Sequence, residues 1–154
     1  MRLNDILRTN AIKVIGSTSS KKRLFQDLAD LAQSTYALEA PRVFEALMER
    51  EGLGPTGVGH GVALPHARLG ALTQVRGLFL RLERPLDFDA IDRQPVDLVF
   101  CLLAPASAGV EHLKALALVS RTLRNASVCA KLRANVDPGT LHAILTEAPA
   151  SQAA

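Results

Sequence analysis

Tryptophan is absent from these 154 residues, tyrosine occurs once and phenylalanine five times, so aromatic residues make up only 4% of the chain. The core must therefore be built from Leu, Val, Ala and Ile, and the aromatic stacking platforms that hold single-stranded nucleic acid are excluded. An excess of one charge is missing too. Eighteen Lys and Arg stand against 15 Asp and Glu, interspersed, with a net charge of +3. Nucleic-acid binding needs a clustered basic face, and the nearest run, Lys21-Lys22-Arg23, reads as a solvated helix start. Only two cysteines occur, Cys101 in an apolar run and Cys129 in a predicted helix, and both fit buried thiols in a reducing compartment. No apolar run approaches the length of a membrane span, and no signal or transit peptide is recognisable, so a cytoplasmic protein without membrane insertion is expected.

What is present suits one globular domain, with 48% apolar and 21% charged residues. The domain is expected over residues 1–147, with 148–154 as a disordered tail. A turn of helix near Asn4–Leu7 leads to a strand, Ala11 to Ile15, closed by Gly16. Ser17 to Ser20 offer N-caps for an amphipathic helix carrying Leu24, Phe25, Leu28, Leu31 and Ala32. A second helix starts near Glu39 or Ala40, with Pro41 in its first turn and Val43, Phe44, Leu47 and Met48 as its buried stripe. It should end with Gly52 as the residue after the helix and Leu53 making the accompanying apolar contact. Gln74–Leu82 and Val96–Leu103 read as strands, the second apolar nearly throughout and therefore interior. Residues 84 to 95 between them form a loop in which Asp87, Asp89 and Asp92 shape turns; their spacing fits no EF-hand. Helices follow from about Val110, over Ser127–Ala134, and from an Asp137 cap with Pro138 behind it. His142, on the last of these, is expected at the surface.

The centre of the chain is Gly57 to Leu69, G-V-G-H-G-V-A-L-P-H-A-R-L. Pro65 fixes its own φ and biases Leu64 toward extended backbone, so His66 stands where a strand would run out, with its ring position set. A dinucleotide loop is discounted, because the spacing is G-x-G-x-G and a proline sits where the helix should begin. A metal site on His60 and His66 is discounted because the six-residue spacing suits no common site. Two readings stay open: chemistry on His66, or a glycine-rich turn with a structural histidine. Arg50 shares the inward stripe of its helix, either as a cation complementing the helix C-terminus or as a guanidinium aimed at an anion near the glycine loop. His112 lies in the first turn of its helix in line with Leu116, Val119 and Leu123. It is either a partly buried structural residue or a group facing an anion held at that N-terminus.

Several segments in order resemble one family. They are S-S-K-K-R-L, E-R-E-G-L-G-P-T-G, the central G-V-G-H-G-V-A-L-P-H-A-R, L-D-F-D-A-I-D-R-Q-P-V-D-L-V-F and A-G-V-E-H-L-K-A-L-A. Together they resemble enzyme IIA of the fructose/mannitol class (EIIA type 2) of the bacterial phosphotransferase system, in its nitrogen-related branch. The likeness spans Leu3 to about Ile144. The resemblance implies an α/β domain with a central mixed β-sheet flanked by helices on both faces. It implies that His66 accepts a phosphoryl group from an HPr-like carrier of the nitrogen-related (NPr) type, that Arg50 and His112 surround the phosphohistidine, and that the phosphorylation state regulates target proteins. Backbone N–H groups of Gly59, His60 and Gly61 are expected to add phosphate contacts. No metal, nucleotide or other cofactor is implied. Where the family often carries serine ahead of Thr56, this chain has Pro55. A sugar-specific IIA passing phosphate to a IIB domain, and a binding module never phosphorylated, are the alternatives.

Overall fold

The computed structural model of the chain describes residues 1–152, with side chains for 1–147; the expected tail, 148–154, lies outside the residues described in full. The order is α1 (Leu3–Ile6), β1 (Leu7–Ile15), α2 (Lys21–Tyr36), α3 (Ala40–Gly52), β2 (Gly57–Gly59), β3 (Val62–Ala63), β4 (His66–Leu69), β5 (Arg76–Leu86), β6 (Val96–Pro105), α4 (Gly109–Leu123), α5 (Ala126–Arg133) and α6 (Pro138–Gln152).

The apolar runs become the middle of the sheet. Its strand order is β1-β5-β6-β3-β2, with β4 also paired to β6. β5 and β6 run antiparallel, while β1 is parallel to β5, and β3 and β4 are parallel to β6, so the sheet is mixed. Leu78, Phe79 and Leu80 in β5, and Leu98 to Ala104 in β6, are buried in succession. Consecutive burial requires cover on both faces. Helix α2 packs with α3, and α4, α5 and α6 pack with one another, the two groups supplying that cover. No helix among the described residues is long and apolar enough to cross a membrane.

Several helix ends follow local rules. Ser20 accepts from Arg23 N, Asn125 from Val128 N and Asp137 from Thr140 N, each capping a helix start. Elsewhere the structure corrects the expectation. Gly52 is the last residue of α3, and Leu53 after it is right-handed and caps the helix through its N–H to the Arg50 carbonyl, while its side chain is 83% exposed instead of making the expected apolar contact. The strand β5 extends through residues 84 to 86, so the loop is 87–95, and Phe88 within it is buried edge-on to Phe25. Lys21 is no solvated residue: it pairs with Glu51 at 2.9 Å and lies over the Phe88 ring. His142 is half-buried, its Nε2 2.9 Å from the Leu7 carbonyl, which ties α6 to β1.

Candidate functional site

The line of β3 is broken and then resumed. Ala63 pairs with Val99 and His66 with Leu102, three residues on in both strands, so the register is kept across Leu64-Pro65. Proline lacks an N–H and interrupts the ladder. Its carbonyl still accepts from Leu102 N at 2.9 Å. His66 therefore opens β4 instead of closing a strand, which corrects the reading that the strand runs out there. Leu64 lies outside both strands, and its carbonyl is 2.8 Å from His66 Nδ1. A carbonyl only accepts, so Nδ1 carries the proton and Nε2 keeps the lone pair of the neutral ring.

His66 lines a groove of about 530 Å³ with Arg50 and Leu53 from the end of α3, Arg68 from β4, and His112 and Leu113 from α4. Three sequence candidates, His66, Arg50 and His112, thus meet in one place. The rings of His66 and His112 stand edge to face with centroids 5.5 Å apart. His112 is 6% exposed. Its Nδ1 accepts from Arg68 Nε at 3.4 Å, while its buried Nε2 has no partner among the described residues. Arg50 Nη1 donates to the Gly54 carbonyl at 2.9 Å just beyond the helix, and its side chain lines the groove.

The glycine turn is not brought to this groove. Gly59, His60 and Gly61 form the tip of the β2–β3 hairpin, all three at positive φ. His60 N–H is taken by Asp92 Oδ2 at 2.9 Å, and the Gly61 carbonyl accepts from the amides of Asp97 and Leu98. Arg133, paired with Asp97, donates to the His60 carbonyl. His66 faces Leu102, four residues beyond Leu98 and so about 13 Å along the sheet at ~3.3 Å per residue. The expected phosphate contacts of Gly59, His60 and Gly61 are therefore corrected to a structural hairpin. Asp87 and Asp92 serve as turn formers, accepting from Asp89 N and Gln94 N.

Two participants were not singled out from sequence. Arg68 was detectable in principle, two residues after His66 and on the same side of a strand. Glu51 had no such signal. It accepts from Lys21 Nζ and from both Thr56 N and Thr56 Oγ1, joining the end of α3 to the start of the hairpin.

Burial holds both groove histidines below the usual imidazole range. For His66 the Leu64 bond opposes that shift and Arg50 adds to it; for His112 the positive forms of His66 and Arg68 add to it. Each ring is thus neutral near pH 7, with the lone pair on Nε2 in His66 and the Nδ1 lone pair of His112 taken by Arg68. Imidazole NMR titration should give midpoints for both residues below the unperturbed value of about 6.5. A midpoint above that value for His66 would show that burial does not govern its titration.

The model of the family described as phosphoenolpyruvate-dependent sugar phosphotransferase system, EIIA 2, matches residues 5–148. A nitrogen regulatory protein of Bradyrhizobium diazoefficiens is 46% identical over 153 residues, covering 99% of this chain and 100% of that protein. One from Klebsiella oxytoca is 40% identical over 149 residues, covering 96% and 92%. Among solved structures, the crystal structure of nitrogen regulatory protein IIA-Ntr from Neisseria meningitidis has a TM-score of 0.87 at 38% identity, covering 94% of this chain and 99% of that one.

Proposed function

The chain belongs to the EIIA 2 family of the phosphoenolpyruvate-dependent sugar phosphotransferase system, and from that premise we propose that it is a phosphoryl carrier of the nitrogen-regulatory type. In this reading His66 accepts a phosphoryl group from the phosphohistidine of an HPr-like carrier of the NPr type, and the loaded and free forms regulate partner proteins differently. The nitrogen-regulatory part is supported by relatives of that name at 46% and 40% identity over nearly the whole chain. The setting is the cytoplasm, where the buried thiols Cys101 and Cys129 stay reduced.

The observation that carries the chemistry is the bond from His66 Nδ1 to the Leu64 carbonyl. It leaves Nε2 as the nucleophile. As the Nε2–P bond forms, the P–N bond to the donor ring breaks and the donor imidazole leaves with the bonding pair. The proton on Nδ1 stays where it is, and the Leu64 carbonyl steadies the positive charge that develops on the ring. Phosphoryl transfer asks a protein mainly for positioning and charge stabilisation. The guanidinium of Arg50 and the unpartnered Nε2–H of His112 are the groups that supply it. No metal or nucleotide enters, since the phosphoryl group arrives on another histidine.

Intact-mass spectrometry after incubation with enzyme I, an HPr-type carrier and phosphoenolpyruvate, kept alkaline to preserve phosphohistidine, should show one added phosphate. No added mass with a cognate carrier would refute the carrier reading in favour of a binding module. Arg50→Ala and His112→Ala should each slow single-turnover uptake by about 10²- to 10³-fold, as expected when one group that stabilises transferred charge is removed, in protein that remains folded. Normal rates in both would refute the assigned roles.

A further inference from the structure

We propose that Arg68 is a positioning residue: it fixes the tautomer and ring orientation of His112 so that His112 presents an Nε2–H to the transferred phosphoryl group. The inference rests on His66 as acceptor and extends it to Arg68, the last residue of the central motif, for which the sequence reading held no role.

Along β4 the side chains alternate, with His66 half-buried, Ala67 buried, Arg68 exposed and Leu69 buried, so His66 and Arg68 share the side facing the groove. Arg68 Nε lies 3.4 Å from His112 Nδ1. A guanidinium has donors and no acceptor. His112 Nδ1 must therefore offer a lone pair, and the neutral ring carries its proton on Nε2. That Nε2 is buried and has no partner among the described residues. An unmet buried donor costs about 1–3 kcal/mol, and here it lies in the ring edge-to-face with His66. A phosphoryl oxygen on His66 would meet it. Without Arg68, nothing among the described residues holds Nδ1 as an acceptor, and the ring is free to exchange tautomers or turn.

The rival role for Arg68 is direct contact with the phosphate or the donor, and a double-mutant cycle separates the two. Single-turnover uptake from a phosphorylated HPr-type carrier at alkaline pH would be measured for the parent, Arg68→Leu, His112→Ala and the double variant. Arg68→Leu should slow uptake by about 10- to 100-fold, the scale of losing the partner that fixes an imidazole's tautomer and orientation, and have little further effect once His112 is alanine. Equal slowing in both backgrounds would overturn the positioning role. Imidazole 15N spectra of the unphosphorylated protein give an independent readout. They should show His112 protonated on Nε2 alone in the parent and a tautomer mixture in Arg68→Leu. Protonation on Nδ1 in the parent, or an unchanged tautomer in the variant, would overturn the inference. A parent protein that takes up no phosphate refutes the carrier reading instead, and the spectra still decide the role of Arg68.

Discussion

His66→Ala is expected to gain no phosphate under conditions that load the parent protein, and to stay folded while failing. The substitution removes the only ring whose Nε2 is both open to the groove and backed by a fixed Nδ1 proton. The loss should exceed about 10³-fold, the scale for deleting a nucleophile. Little structure goes with it. The ring is half-buried, among the described residues it bonds only the Leu64 carbonyl, and the backbone of residue 66 still pairs with Leu102. The melting temperature should therefore stay close to that of the parent. The remaining histidines are poor substitutes. The Nε2 of His112 is buried, His60 sits at the hairpin tip, and the Nε2 of His142 is engaged by the Leu7 carbonyl. Retained labelling in folded His66→Ala would mean the acceptor is another histidine, with His112 the first to test. A folded variant that also regulates its partner as the parent does would support a binding module.

The parts of this site that were legible in the sequence are those set by short-range rules. Pro65 interrupts a strand whatever surrounds it, the 3.6-residue period of α4 turns His112 toward the core, and the stripe of α3 carries Arg50 inward. The Ser20 and Asp137 caps are equally local. What was misread depended on pairing partners far away in the chain. The Gly59–Gly61 turn resembles a phosphate cradle in isolation, yet Asp92, Asp97 and Arg133 hold it at the other end of β6. His142 carries no local sign that the Leu7 carbonyl, 135 residues earlier, will receive it. Lys21 looks like one of three solvated cations until α2 and α3 pack together and put Glu51 beside it. No period or motif encodes such contacts; they arise from the topology of the sheet and the packing it imposes.

Glu51 supplies the other large effect. Its side chain is 6% exposed and sits in the last turn of α3, where the helix dipole disfavours a carboxylate. Its partners offset that position: Lys21 Nζ at 2.9 Å, Thr56 N at 2.9 Å and Thr56 Oγ1 at 2.6 Å. Glu51→Ala leaves a half-buried ammonium above the Phe88 ring and strands the amide and hydroxyl of buried Thr56. Removing one partner of such a pair costs about 3–5 kcal/mol, read as a lowered guanidinium midpoint with an unchanged slope. Glu51→Gln keeps an oxygen for Thr56 but loses the charge, and should cost about 1–3 kcal/mol. A midpoint for Glu51→Ala indistinguishable from the parent would show that the network contributes nothing. The loss should reach the chemistry as well. The Thr56 carbonyl accepts from Leu64 N at 2.9 Å, and the Leu64 carbonyl holds the His66 Nδ1 proton. The connection from Lys21 to the acceptor ring therefore runs through Glu51, Thr56 and Leu64. Loosening its first link should slow phosphoryl uptake in the fraction that remains folded. Uptake at the parent rate in folded Glu51→Gln would confine Glu51 to stability alone.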